Sequence, residues 1–115
     1  MHETSIVNSI IRTLEHEFET EKLNRLKAIH LKVGILSNIE PRLLYNAYSA
    51  YHISNPAYSN VELHVESTTL KIQCESCDHI TDVEKYRFIC DKCEKPSKNV
   101  IQGEEMLIHK VEFED

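Results

Sequence analysis

Ala28-Ile29-His30-Leu31-Lys32-Val33-Gly34-Ile35 alternates in character from one residue to the next. Ile29, Leu31, Val33 and Ile35 fall on one side, with Ala28, His30, Lys32 and Gly34 on the other. That is the period of a strand with one face in a core. Upstream, Ile6, Val7, Ile10, Ile11, Leu14 and Phe18 recur at three- and four-residue spacing and predict an amphipathic helix. Downstream, Pro41 suits the first turn of a second helix, whose apolar stripe is Leu43, Leu44, Ala47, Tyr48 and Tyr51. Asn55-Pro56 and Ser59-Asn60 end that helix with turn chemistry. Val61, Leu63 and Val65 alternate as a second strand, and the stretch from Met106 to Phe113 reads as a third.

The order is helix, strand, helix, strand, insert, strand. It predicts an α+β fold: a three-stranded sheet with two helices on one face, plus an inserted zinc-ribbon-like module. The expected division is 1–70 and 99–115 for the α+β domain and 71–98 for the insert. A chain of 115 residues has room for one such domain and a small appendage.

The insert carries Cys74-Glu75-Ser76-Cys77 and Cys90-Asp91-Lys92-Cys93, two CxxC pairs separated by twelve residues. Each pair can bind one ion from a tight turn, and two facing turns complete a tetrahedron around zinc. Ile80, Val83, Tyr86 and Phe88, between the pairs, are expected to form a short hairpin too small for a core of its own. Metal binding would then supply its folding free energy, on the order of 10 kcal/mol. Four thiolates leave no open position for a catalytic water, so the site reads as structural. A redox dithiol would need a thioredoxin-like pattern, which is absent, and a disulfide pair would need an oxidising compartment. His79, beside the first pair, is expected at the surface rather than on the metal.

The net charge of −6 repels phosphate backbones and suits a divalent cation or a basic protein surface. It counts against the alternative reading, a zinc-ribbon module that binds nucleic acid or protein. Met1-His2-Glu3-Thr4-Ser5 shows neither a basic segment nor an apolar run, and no stretch is long enough to span a bilayer, so a cytoplasmic protein with no membrane or nucleic-acid partner is expected. No catalytic constellation stands out, which argues against an enzyme.

His2 is bulky enough that Met1 is expected to be retained. The Met1 amine, the His2 backbone nitrogen and the His2 imidazole can then close consecutive small chelate rings on one ion. The Glu3 backbone nitrogen or carboxylate is within reach of a fourth position. Nitrogen-rich, near-planar coordination favours Ni(II) or Cu(II) over zinc. A histidine at the second position is otherwise an ordinary solvated chain end.

In combination, these features resemble a known family. Met1-His2-Glu3 opens into an amphipathic helix, and Leu31-Lys32-Val33-Gly34-Ile35-Leu36-Ser37 leads into Glu40-Pro41. The paired CxxC motifs follow, and Gly103-Glu104-Glu105-Met106 leads into the last strand. The whole order resembles the HypA/HybF family, the nickel metallochaperones of nickel–iron hydrogenase maturation. The resemblance implies Ni(II) as transient cargo at Met1, His2 and Glu3, and structural Zn(II) at Cys74, Cys77, Cys90 and Cys93. It also implies delivery to the hydrogenase large subunit with a GTPase accessory protein, by a monomer or weak homodimer. One departure is clear: the family usually has Gly after each second cysteine, where a left-handed backbone is needed, and here Asp78 and Glu94 stand there. A slightly strained site is expected.

His30 and His64 lie mid-strand on the polar side, and His109 is central in the third strand. Neighbouring strands could bring these rings together, for a second transition metal or, as is commoner for exposed histidines, for a protein-binding surface.

Overall fold

A computed structural model describes residues 3–115. Helix α1 (Glu3–Glu17) and the short α2 (Thr20–Leu23) precede strand β1 (Leu26–Gly34). Helix α3 (Pro41–Ser54) and a 3-10 turn at Pro56–Tyr58 lead into β2 (Glu62–Thr68). Three short strands follow, β3 (Lys71–Gln73), β4 (Ile80–Asp82) and β5 (Val100–Gln102), and β6 (Met106–Phe113) comes last.

β1 is the middle strand of the larger sheet, in the order β2-β1-β6, parallel to β2 and antiparallel to β6. The apolar stripe of α1 explains where that helix goes. Ile6, Val7, Ile10, Ile11 and Leu14 are all buried, packed with Ile29, Leu31 and Val33 of β1, Leu44 and Tyr48 of α3, and Leu63 of β2. Burying each such side chain contributes roughly 1.5–3 kcal/mol, far more than helix propensity alone could. The expected sheet with two helices on one face is therefore present. Pro41 occupies the first turn of α3, and the Glu40 side chain caps it.

Two tyrosines of α3 secure β2 and the residue that leads into it. Tyr48, buried under the sheet, donates its hydroxyl to the Val61 carbonyl at 2.9 Å. Tyr45 accepts the outward-facing Val65 N–H at 2.7 Å, so the free edge of β2 is partly blocked against strand addition. At the far end of β6, Phe113 packs edge-to-face on Phe18 at 5.2 Å, with the Lys22 ammonium 4.8 Å from the Phe113 ring.

Three details differ from the periodicity. Ile35 lies beyond β1 and is 53% exposed, because the chain leaves the sheet at Gly34. Leu43 is 44% exposed; α3 fully buries only the narrower line of Leu44 and Tyr48, with Ala47 and Tyr51 partly buried against the core. No hairpin forms between the cysteine pairs: β4 pairs backwards with β3, and β5 pairs with the other side of β3. Ile80 and Tyr86 are consequently exposed, and the core of this second, β4-β3-β5 sheet is the fully buried Ile72.

Candidate metal centre

Both cysteine pairs turn through the same backbone device. In the first, the Asp78 N–H donates to the Cys74 carbonyl and the Cys74 N–H donates to the His79 carbonyl, each at 2.9 Å. In the second, the Glu94 N–H donates to the Cys90 carbonyl and the Cys90 N–H to the Lys95 carbonyl, again at 2.9 Å. Closing so tight a turn needs a left-handed residue after the second cysteine. Asp78 and Glu94 supply it, with φ of 63° and 62°.

The two turns face each other. All four Sγ atoms lie within 4.8 Å of one another, with Cys74 to Cys93 at 3.4 Å and Cys77 to Cys90 at 3.6 Å. A tetrahedral zinc with Zn–S bonds of 2.3 Å spaces its sulfurs ~3.8 Å apart, so the observed set needs only a small adjustment to take such an ion. Among the described residues, no other group of three or more potential ligands has donor atoms converged to this degree. The donor set, four soft thiolates with no vacant position, fits structural zinc.

The local backbone divides the thiols into two classes. Cys90 accepts from the N–H groups of Cys93 and Lys92, which, against burial, bring it down to about 6. Cys74 is lowered in the same way by the N–H groups of Cys77 and Ser76. Cys77 accepts from the His79 N–H, yet burial and the neighbouring thiols push it up to about 12. Cys93 is raised as well, the Cys74 sulfur and burial prevailing over the Lys95 N–H. Four thiolates this close cannot all ionise without a cation. A dication would therefore expel the protons held on Cys77 and Cys93.

His79 is not part of the cluster. Its Nε2 lies 2.6 Å from Asp91 Oδ1, and the Asp91 N–H donates to the Thr81 hydroxyl at 3.1 Å. That chain ties the first turn to the second. The buried Ser97 hydroxyl closes the module from the other side by donating to the Gln73 carbonyl at 2.9 Å.

Where the two sheets meet, sequence reasoning found less. The Thr68 hydroxyl and the Gly103 N–H both donate to the Glu105 carboxylate, which holds that carboxyl below the usual range. The Gly34 N–H donates to the Glu105 carbonyl and the Leu36 N–H to the Gly103 carbonyl, each at 2.7 Å. In the sequence Glu105 stands out only as part of Gly103-Glu104-Glu105-Met106. Its side chain bridges segments 37 positions apart in sequence, a contact no local pattern announces.

Of the three residues expected to hold nickel, Met1 and His2 lie outside the described residues. Glu3 opens α1 as the acidic residue of its first turn, half-buried and apart from the thiol cluster. A carboxylate there is favoured by the helix dipole.

Comparison with known proteins gives the same picture. Residues 1–113 match the family model described as hydrogenase/urease nickel incorporation, metallochaperone, HypA. The chain is 33% identical over 106 residues to the hydrogenase maturation factor HypA of Campylobacter jejuni, covering 92% of this chain and 93% of that protein. It is 29% identical over 114 residues to the HypA of Aquifex aeolicus, covering 99% and 98%. The solution structure of the Ni metallochaperone HypA from Helicobacter pylori shares the fold, with a TM-score of 0.66 over 98% of this chain and 97% of that one at 24% identity. Among the described residues no helix is long and apolar enough to cross a membrane. With the family model spanning both the α+β domain and the paired cysteine turns, the chain belongs to the HypA family of nickel-incorporation metallochaperones that serve hydrogenase maturation.

Proposed function

We propose that this metallochaperone carries Ni(II) at its N-terminus, with His2 as the principal ligand and Met1 and Glu3 beside it. Zn(II) is bound by Cys74, Cys77, Cys90 and Cys93 and has a structural role. The cargo passes to the hydrogenase large subunit in the cytoplasm, with a GTPase accessory protein, and the carrier acts as a monomer or weak homodimer. The working division is 1–70 with 99–115 for nickel and 71–98 for zinc. The observation that carries this reading is the chemical contrast between two donor sets within one family match over residues 1–113. Four converged thiolates suit an ion that stays. A nitrogen-rich set built on histidine suits Ni(II) held loosely enough to release. The net charge of −6 supports basic protein partners over nucleic acid.

Native mass spectrometry of untagged protein tests it. The wild type should hold one zinc through mild chelation and take up nickel at a site that His2→Ala removes, with zinc and fold intact. Unchanged nickel affinity and stoichiometry in His2→Ala would refute the N-terminal assignment.

A further inference from the structure

The face of the larger sheet opposite the helices carries its own arrangement of donors. The register pairs His30 of β1 directly with His64 of β2, and their rings stack with centroids 4.7 Å apart and planes within 14°. The same register puts Ala28 opposite both Glu62 and Glu112, so a small side chain separates two carboxylates immediately beside the histidine pair. His109, by contrast, falls at a register shift of β6, and Lys110 stands opposite His30 in its place.

The distances on this face are not those of good hydrogen bonds. His30 Nε2 is 3.5 Å from Glu112 Oε1, and His64 Nε2 is 3.4 Å from Glu62 Oε2. Hydrogen bonds of this type close to ~2.7–3.2 Å. Two ligands of one ion, each at 2.0–2.1 Å and at a tetrahedral angle, are separated by ~3.4 Å. The His30 Nε2 is moreover buried and has no hydrogen-bond partner, a costly state for a polar ring atom. Two imidazoles with two carboxylates form a borderline donor set of the kind that nickel and zinc accept.

From this geometry we propose that His30 and His64, with Glu112 and Glu62, form a second divalent transition-metal site on the open face of the β2-β1-β6 sheet. Gathering the four donors on one ion requires rotation of His64 and Glu62, whose side chains are 50% and 67% exposed, while the half-buried His30 stays in place. The Lys110 ammonium, 3.6 Å from Glu112 Oε1, is the cation that the metal would displace from that carboxylate. The site shares no residue with the thiol cluster or with the nickel ligands proposed at the N-terminus.

The test uses full-length, zinc-loaded protein carrying His2→Ala, titrated with Ni(II) alone. Native mass spectrometry reads stoichiometry, and histidine side-chain NMR reads which rings respond. One nickel should bind, with broadening confined to His30 and His64. His64→Gln, at an exposed position, should weaken it at least ~10-fold, since loss of even an outer-shell partner of a ligand typically costs that much. Adding His30→Gln should abolish it, with the amide spectrum otherwise retained. Absence of nickel binding in the His2→Ala protein, or nickel that survives His64→Gln undiminished, overturns the proposal. Nickel-induced changes only at the cysteine turns overturn it too.

Discussion

Replacing Gly34 by alanine should destabilise the protein severely although it adds only one methyl group. A Cβ at this position would lie 2.1 Å from the Gly103 carbonyl oxygen and 2.2 Å from its carbon, with the Glu104 nitrogen at 2.7 Å. All three are backbone atoms, so no side chain can swing aside. Opening the closest contact from 2.1 Å to the 3.0 Å that real Cβ atoms tolerate takes 0.9 Å. The same retreat stretches the hydrogen bonds from Gly34 to Glu105 and from Leu36 to Gly103 from 2.7 Å to about 3.6 Å, where they cease to be hydrogen bonds. Both glycines are buried, and each unsatisfied buried group costs about 1–3 kcal/mol. The expected loss is about 2–6 kcal/mol, against a total stability of about 5–15 kcal/mol for a domain. Thermal unfolding of zinc-loaded wild type and Gly34→Ala, with metal content checked in both, should show the midpoint falling by at least about 8 °C. A fall of less than about 3 °C would mean that the two sheets are not locked together at this contact.

Three further outcomes follow from particular residues. Burial holds Tyr48 up at about 12, with the nearby Tyr51 and Tyr58 adding to the rise, so the fold prefers its neutral phenol, which donates to Val61. That stabilisation is complete below pH 10 and should disappear as the pH climbs towards 12, by about 2–3 kcal/mol, and Tyr48→Phe should flatten this alkaline limb in denaturant titrations. Glu94→Gly should raise zinc retention in chelator competition, worth roughly 0.5–1 kcal/mol, because glycine adopts the φ of 62° without strain. Asp78→Gly should gain less, since Asp tolerates that conformation better; an equal or reversed order would contradict the strain argument. Stripping zinc with a strong chelator should collapse amide dispersion for 71–98 while the core around Ile6, Ile29 and Leu44 persists in the NMR spectrum. Loss of both together would show that the module is needed to hold the larger sheet.

The cysteine turns were legible because their chemistry is local. Each pair lies within four consecutive residues, and the left-handed positions at Asp78 and Glu94 follow from the turn itself. The α1 stripe and the period of β1 were legible for a related reason: a helix or strand repeats its own pattern whatever it packs against. The outer limits of those elements were not. Ile35 continues the alternation in sequence yet stands exposed, because Gly34 is pinned against Gly103 and the chain must leave the sheet there.

Sequence alone thus brought out the two cysteine pairs as a possible metal cluster and the buried faces of α1 and β1, since both follow from residue type and spacing over a few positions. Tertiary structure alone decided that β4 would pair with β3 and not with a partner between the cysteines, that Glu105 would bridge Thr68 and Gly103, and that His64 rather than His109 would stack on His30. These outcomes depend on strand register and on close backbone approach between distant segments. A shift of one residue reverses a strand's faces, and nothing in either segment by itself specifies that register.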